Sequence, residues 1–175
     1  MKPTVLLGIS AMAFSAALLV PPSLIAQQHR DEHGERGARH RYKLVDLGTL
    51  GGPISYGSAS GDGARLLNDR GEVSSYADTA FPDPFSPDHL LTQAFRWRHG
   101  KLIDLGGIDD KFNSLGDSIN DRGWVAGIAQ TGLTDPSFIF PLMDAVLWRG
   151  KKALDLGTLP GGSFSLGIIV NNAGR

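Results

Sequence analysis

The side chains best suited to chemistry in this chain are carboxylates that return at intervals. Asp46, Asp104 and Asp155 each open an Asp-Leu-Gly phrase: Asp46-Leu47-Gly48-Thr49-Leu50-Gly51-Gly52, Asp104-Leu105-Gly106-Gly107 and Asp155-Leu156-Gly157-Thr158-Leu159-Pro160-Gly161-Gly162. Such groups could act as acid/base catalysts or metal ligands. A catalytic pair, however, sits once in a protein where several elements converge, whereas these carboxylates recur once per unit. The expected role is structural, with each side chain accepting hydrogen bonds from backbone N–H groups in its glycine turn.

Other residues invite chemistry and are weighed the same way. Gly61-Asp62-Gly63 and Asn68-Asp69-Arg70-Gly71 resemble pieces of calcium loops. Neither supplies the alternating oxygen ligands and closing glutamate of an EF-hand. Trp97 and Trp148 share a repeat position, and Phe95 lies on the strand face of Trp97. Exposed, these rings would stack on sugars; the expectation is burial, as the large apolar anchors of each unit. His29 and His33 are four apart and would share one face of a helix. They lie in a run of mixed charge and glycine, which reads as a solvated tether. His89 and His99 are isolated and expected on exposed loops or turns. No Gly-x-Ser-x-Gly elbow, His-Glu-x-x-His helix or phosphate-binding loop occurs. No residue is therefore assigned as catalytic, cofactor-binding or metal-ligating, and no cofactor is expected.

The elements that position these residues follow from the repeat. Asn68-Asp69-Arg70-Gly71-Glu72-Val73 corresponds to Asn120-Asp121-Arg122-Gly123-Trp124-Val125 and to Asn171-Asn172-Ala173-Gly174-Arg175. Ala94-Phe95-Arg96-Trp97 corresponds to Ala145-Val146-Leu147-Trp148. Trp97 to Trp148, Asp104 to Asp155 and Asn120 to Asn171 are each 51 residues, while Asp46 to Asp104 is 58, the excess lying mainly between Gly52 and Asn68 in an enlarged loop at Gly57–Gly63. Periods near 50 residues mark solenoids, propellers or arrays. Each unit carries four short segments of strand character bounded by turn signals. One hairpin turns at Asn120-Asp121-Arg122-Gly123, where asparagine can bond nearby N–H groups and glycine can take positive φ. A second turns at Arg149-Gly150-Lys151. In the first unit Phe95 and Trp97 alternate with Arg96 and Arg98, which predicts one buried and one wet face.

The fold class is thus all-β: antiparallel four-stranded repeats of about 50 residues, propeller-blade-like, in an incomplete array. The repeat region spans 42–175, with units at about 46–103, 104–154 and 155–175. The third is expected to be cut short, leaving an unpaired terminal strand through which chains could self-associate. The proline-bearing stretch Thr79–Leu91 and its counterpart Thr131–Met143 read as excursions joining the hairpins, and as the surface where binding would reside.

Lys2, an apolar run from Val5 to Val20, Pro21-Pro22 and Ala26 before Gln27-Gln28 have the layout of a secretory signal peptide over 1–26. The run is shorter than the roughly 20 apolar residues that cross a bilayer, so no stable membrane span is expected after cleavage. Residues 27–41 are charged, have no apolar side chain larger than alanine, and read as a disordered linker. The absence of cysteine excludes disulfides and thiolate metal sites. With 16 basic and 18 acidic side chains after residue 26, no nucleic-acid partner is expected.

The Asp-Leu-Gly-Thr-Leu-Gly-Gly phrase, the Asn-x-x-Gly-x-Val turn and the Ala-Phe-x-Trp hairpin, recurring in that order over residues 42–175, resemble the HAF family of extracellular bacterial repeats. The histidine of that family's His-Ala-Phe is absent: Gln93 and Asp144 stand in its place. The resemblance implies export and a repeated β architecture, and no activity. The expected protein is secreted or held in the cell envelope, extracellular or periplasmic. It is a binding or structural module with an extracellular ligand, glycan or protein. The alternative is an extracellular polysaccharide hydrolase or lyase built on a β-propeller.

Overall fold

The glycine turns decide where strands begin and end. The computed structural model describes residues 42–57, 63–87, 89–136 and 140–175. The expected signal and linker at 1–26 and 27–41 lie outside the described residues, as do residues 58–62 of the enlarged loop. Leu44–Arg175 forms one compact unit. It holds eight strands: β1 (Gly51–Tyr56), β2 (Val73–Pro82), β3 (Leu90–Arg98), β4 (Lys101–Gly106), β5 (Ser114–Ile119), β6 (Trp124–Thr134), β7 (Pro141–Arg149) and β8 (Lys152–Asp155). They make two antiparallel sheets of identical order, β1-β2-β3-β4 and β5-β6-β7-β8. The described residues contain no helix.

The tight hairpins form where the repeat places them. Arg98 pairs with Lys101 and Arg149 with Lys152 around glycines at φ +78° and +68°. The longer hairpins differ from the expected excursions. β2 runs on to Pro82, which pairs with Leu90, and β6 runs to Thr134, which pairs with Pro141. The prolines are tolerated because they stand at strand ends, where the missing N–H costs no interior ladder bond. Most of each excursion is therefore sheet.

Packing between the sheets revises the predicted wet face. β5 lies across β2 and β3. A single apolar core draws on both sheets: Ala94 and Leu105 from the first, Ile119, Val125, Ala129, Val146 and Trp148 from the second. Phe95 is buried and Trp97 half-buried, with Arg96 only partly exposed because its guanidinium donates to the Gly123 carbonyl at 2.9 Å. In the second sheet Val146, Leu147 and Trp148 are all buried, so both faces of β7 are covered. The segment that follows β8 does this work: Val170 packs with Leu147 and Ala126, and its N–H donates to Ser118 Oγ at 3.1 Å. Alternation expected of one wet face becomes two covered faces wherever a further unit stacks on the sheet.

Candidate functional site

Each recurring carboxylate sits at its own glycine turn. Asp46 accepts from Gly48 N–H at 2.9 Å, Asp104 from Gly106 at 2.8 Å and Asp155 from Gly157 at 2.8 Å. The three glycines hold φ of +79°, +64° and +65°, a region that L side chains rarely enter. All three aspartates thus close the glycine turn, as their recurrence implied.

The asparagine turns carry a second recurrence that joins units. Asn68, Asn120 and Asn171 each use Oδ1 to accept the N–H groups two and four residues on. Their amides reach forward: Asn68 Nδ2 donates to the Asn120 carbonyl, and Asn120 Nδ2 to that of Asn171, both at 2.9 Å. Beside this ladder Asp69 N–H donates to Asp121 Oδ1, and Asp121 N–H to Asn172 Oδ1. The hydrogen bonds to Asp121 from the Asn172 amide and the Asp69 backbone hold its carboxyl below the usual range. A serine staple runs in parallel. Ser114 Oγ donates to Gly106 O and accepts from Ala94 N–H, while Ser165 Oγ donates to Gly157 O and accepts from Ala145 N–H. Ala94 N–H is free to do so because a bulge between Ala94 and Phe95 breaks the ladder to β4.

At the head of each ladder rung sits a clamp of two arginines. In the first sheet Arg70 and Arg98 grip the buried Glu72 carboxylate at 2.8 and 3.1 Å. Burial pushes that carboxyl up, but hydrogen bonds from Asn68 and Arg70 and the charges of Arg70 and Arg96 outweigh it, so its pKa ends lowered. In the second sheet Trp124 replaces the glutamate. The corresponding arginines, Arg122 and Arg149, lie 5.3 and 4.2 Å from its ring centroid. The turn glycine of the following unit covers each clamp. A Cβ on Gly123 would meet Arg70, Arg96 and Glu72, all at 2.8 Å, and one on Gly174 would strike the Trp124 ring.

The ladder, staple and clamp groups are occupied by one another; a cleft of about 270 Å³ lies beside the ladder at Arg65, Asn120 and Asn171, and larger clefts open at the aspartate turns. A cleft of about 430 Å³ in the first sheet is lined by Thr79, Phe81, Gln93, Asp104, Asp110 and Lys151, among others. A cleft of about 370 Å³ in the second is lined by Thr131, Leu133, Asp144, Asp155, Thr158 and Ser163, among others. The two correspond position for position: Thr79 to Thr131, Phe81 to Leu133, Gln93 to Asp144 and Asp104 to Asp155. In each, a threonine Oγ accepts the N–H two residues on, at 3.2 and 3.3 Å, where the strand register shifts. The same irregularity turns Phe81 and Leu133 outward, 68% and 64% exposed.

The two clefts differ at the position where the resembled family has histidine. Gln93 is spent structurally, donating to the Asp110 and Phe112 carbonyls at 3.2 and 2.9 Å and so fixing the loop between β4 and β5. Asp144 instead bonds to Asp155; burial and then the Asp155 charge and that bond push its carboxyl up.

Of the residues first weighed for chemistry, Trp148 is wholly buried and offers no face for a sugar, and Trp97 is half-buried. His89 and His99 are exposed, on a loop and in a turn. His29, His33, Gly61 and Asp62 lie outside the described residues. Among the described residues no three His, Cys, Asp or Glu side chains gather as a metal site, and no helix is long and apolar enough to cross a membrane. The threonine bulges and the Asp144–Asp155 bond escaped sequence reasoning. The signal for the former was present as Thr79-Ala80-Phe81 and Thr131-Gly132-Leu133, which recur within the presumed excursions. Comparison of the chain with family models, with curated proteins and with solved structures returns no match.

Proposed function

We infer that this chain is an exported β-repeat protein of the HAF type, a binding or structural module at the cell surface or outside the cell. Its sheets would be propeller-blade-like repeat units. One observation carries the reading: the polar groups that recur from unit to unit serve the scaffold, Asn68 and Asn120, Ser114 and Ser165 in unit joining, and Asp104 and Asp155 in turn closure through Oδ1. A scaffold uses its repeated groups in this way. The layout of residues 1–26 supports export, and the sequence phrases support the family resemblance.

The hydrolase or lyase reading has one observation in its favour, the bonded pair Asp144 and Asp155 in a cleft. Glycosidase carboxyls stand about 5–5.5 or 6.5–9.5 Å apart to flank a scissile bond. Asp144 and Asp155 instead interact with each other, which raises the Asp144 carboxyl. The separating experiment is to screen the full chain on a glycan array and against soluble polysaccharides for chain scission. Retention without scission is the expected result, and turnover of any polymer overturns the binding reading. The mass of the mature chain from a secreting host tests export, with cleavage after Ala26 expected.

A further inference from the structure

The two corresponding clefts do not share the fate of the other recurring groups. Asp104 and Asp110 each hold a backbone N–H through Oδ1, the former at 2.8 Å and the latter at 3.3 Å from Gly107 N. Their Oδ2 atoms make no further bond among the described residues, and a carboxylate oxygen accepts hydrogen bonds from hydroxyl groups. Phe81 projects over the same cleft, turned out of its strand by the Thr79 bulge. Bulges re-aim side chains in this manner next to functional sites. Beyond Phe81 the cleft continues into a second hollow of about 370 Å³ walled by Pro82, Pro84, Leu91 and Phe112. The floor is polar and acidic, the rim is an exposed aromatic face, and the extension is apolar.

A flat ring with hydroxyls at its edge and C–H groups on its face matches that combination, with C–H groups on the phenyl ring and hydroxyls on the carboxylates. The loop between β4 and β5 lines both clefts, giving Asp110 to the first and Ile108 to the second. Lys151, from the β7–β8 turn, reaches the first cleft, so the second sheet contributes to both. A ligand that repeats along its own length could occupy the pair. Four aspartates against Lys151 and Lys111 leave the site net acidic, so acidic sugars would be repelled. The geometry points to a binding site for a non-acidic glycan chain laid across the two clefts, with Phe81 as its stacking platform. This assignment rests on the proposed binding role and gives it a location and a ligand class.

The test titrates the full chain, by calorimetry and by NMR, with cellohexaose, laminarihexaose, chitohexaose and hexagalacturonate. Phe81→Ala and Phe164→Ala are compared with the parent, the latter removing an exposed ring that lines neither cleft. Near-UV circular dichroism verifies that both variants fold. The expected result is binding of at least one uncharged hexasaccharide, weakened about tenfold or more by Phe81→Ala, as loss of an aromatic contact face implies. Phe164→Ala binds as the parent does, and hexagalacturonate does not bind. Absence of binding by every uncharged hexasaccharide, or preference for hexagalacturonate, overturns the glycan assignment. An uncharged hexasaccharide that binds Phe81→Ala as tightly as the parent overturns the site while leaving the binding role intact. Retention of the chain in the cytoplasm of a secreting host overturns the export reading whatever the glycans do.

Discussion

A single asparagine satisfies two backbone donors and supplies one inter-unit strut. Asn120 is buried, and its replacement by alanine removes two accepted N–H bonds and the donation to Asn171. At about 0.5–1.5 kcal/mol for each bond, Asn120→Ala should cost about 2–4 kcal/mol in urea unfolding. Asn171→Ala, which exposes its freed donors to water, should cost less than about 1 kcal/mol. Asp144 offers a test of opposite sign. Its folded pKa is raised, so the folded chain holds that proton more tightly, and stability falls as pH rises from the ordinary carboxyl range through the raised value. Asp144→Asn, which keeps a bond to Asp155 without the second charge, should raise the melting temperature at pH 7. That gain should shrink toward pH 3.5, and a constant difference across pH would contradict the assignment. The structural role of Asp46, Asp104 and Asp155 was legible from recurrence alone. The Asp144–Asp155 bond was not, because partners 11 residues apart across a hairpin are set by register, which composition does not reveal.

Turn positions were the most legible elements, since asparagine and glycine encode their geometry locally. Strand ends were less so. Proline near Pro82 and Pro141 reads as a breaker, and only pairing with Leu90 and Thr134 makes those positions strand. Close approach between strands was also hidden. Gly127, in the middle of β6, lies opposite Gly116 of β5 at a register shift. A Cβ there would run into the Leu115 carbonyl oxygen and stand 3.0 Å from the Trp148 ring. Ser75 occupies the corresponding place in β2, where β1 has already ended opposite Tyr76. Gly127→Ala should therefore destabilise by about 2–3 kcal/mol or more through displaced backbone and overpacking, read as a lower urea midpoint. A change within about 0.5 kcal/mol would show that β5 can shift without loss.

On the scale of the whole unit, two sheets of equal topology are joined by a shared core, an asparagine ladder and a serine staple. The period announced that units exist; the bonds between them are long-range and appear only once the units are stacked. The halves differ at the clamps. The arginine positions of the clamp are kept, but the first clamp closes on a carboxylate and the second on an indole. Arg70 and Arg98 are 46% and 47% exposed, so mobile ions reach the first clamp. The screening length shrinks from about 10 Å at 0.1 M salt to about 3 Å at 1 M. The expected outcome on moving to 1 M sodium chloride is faster amide exchange in β2 and β3 than in β6 and β7, with Glu72→Gln abolishing the difference. Equal response of both sheets would refute it. Brine thus becomes a selective solvent for this molecule, loosening one half while the other, gripping an aromatic ring, holds its place.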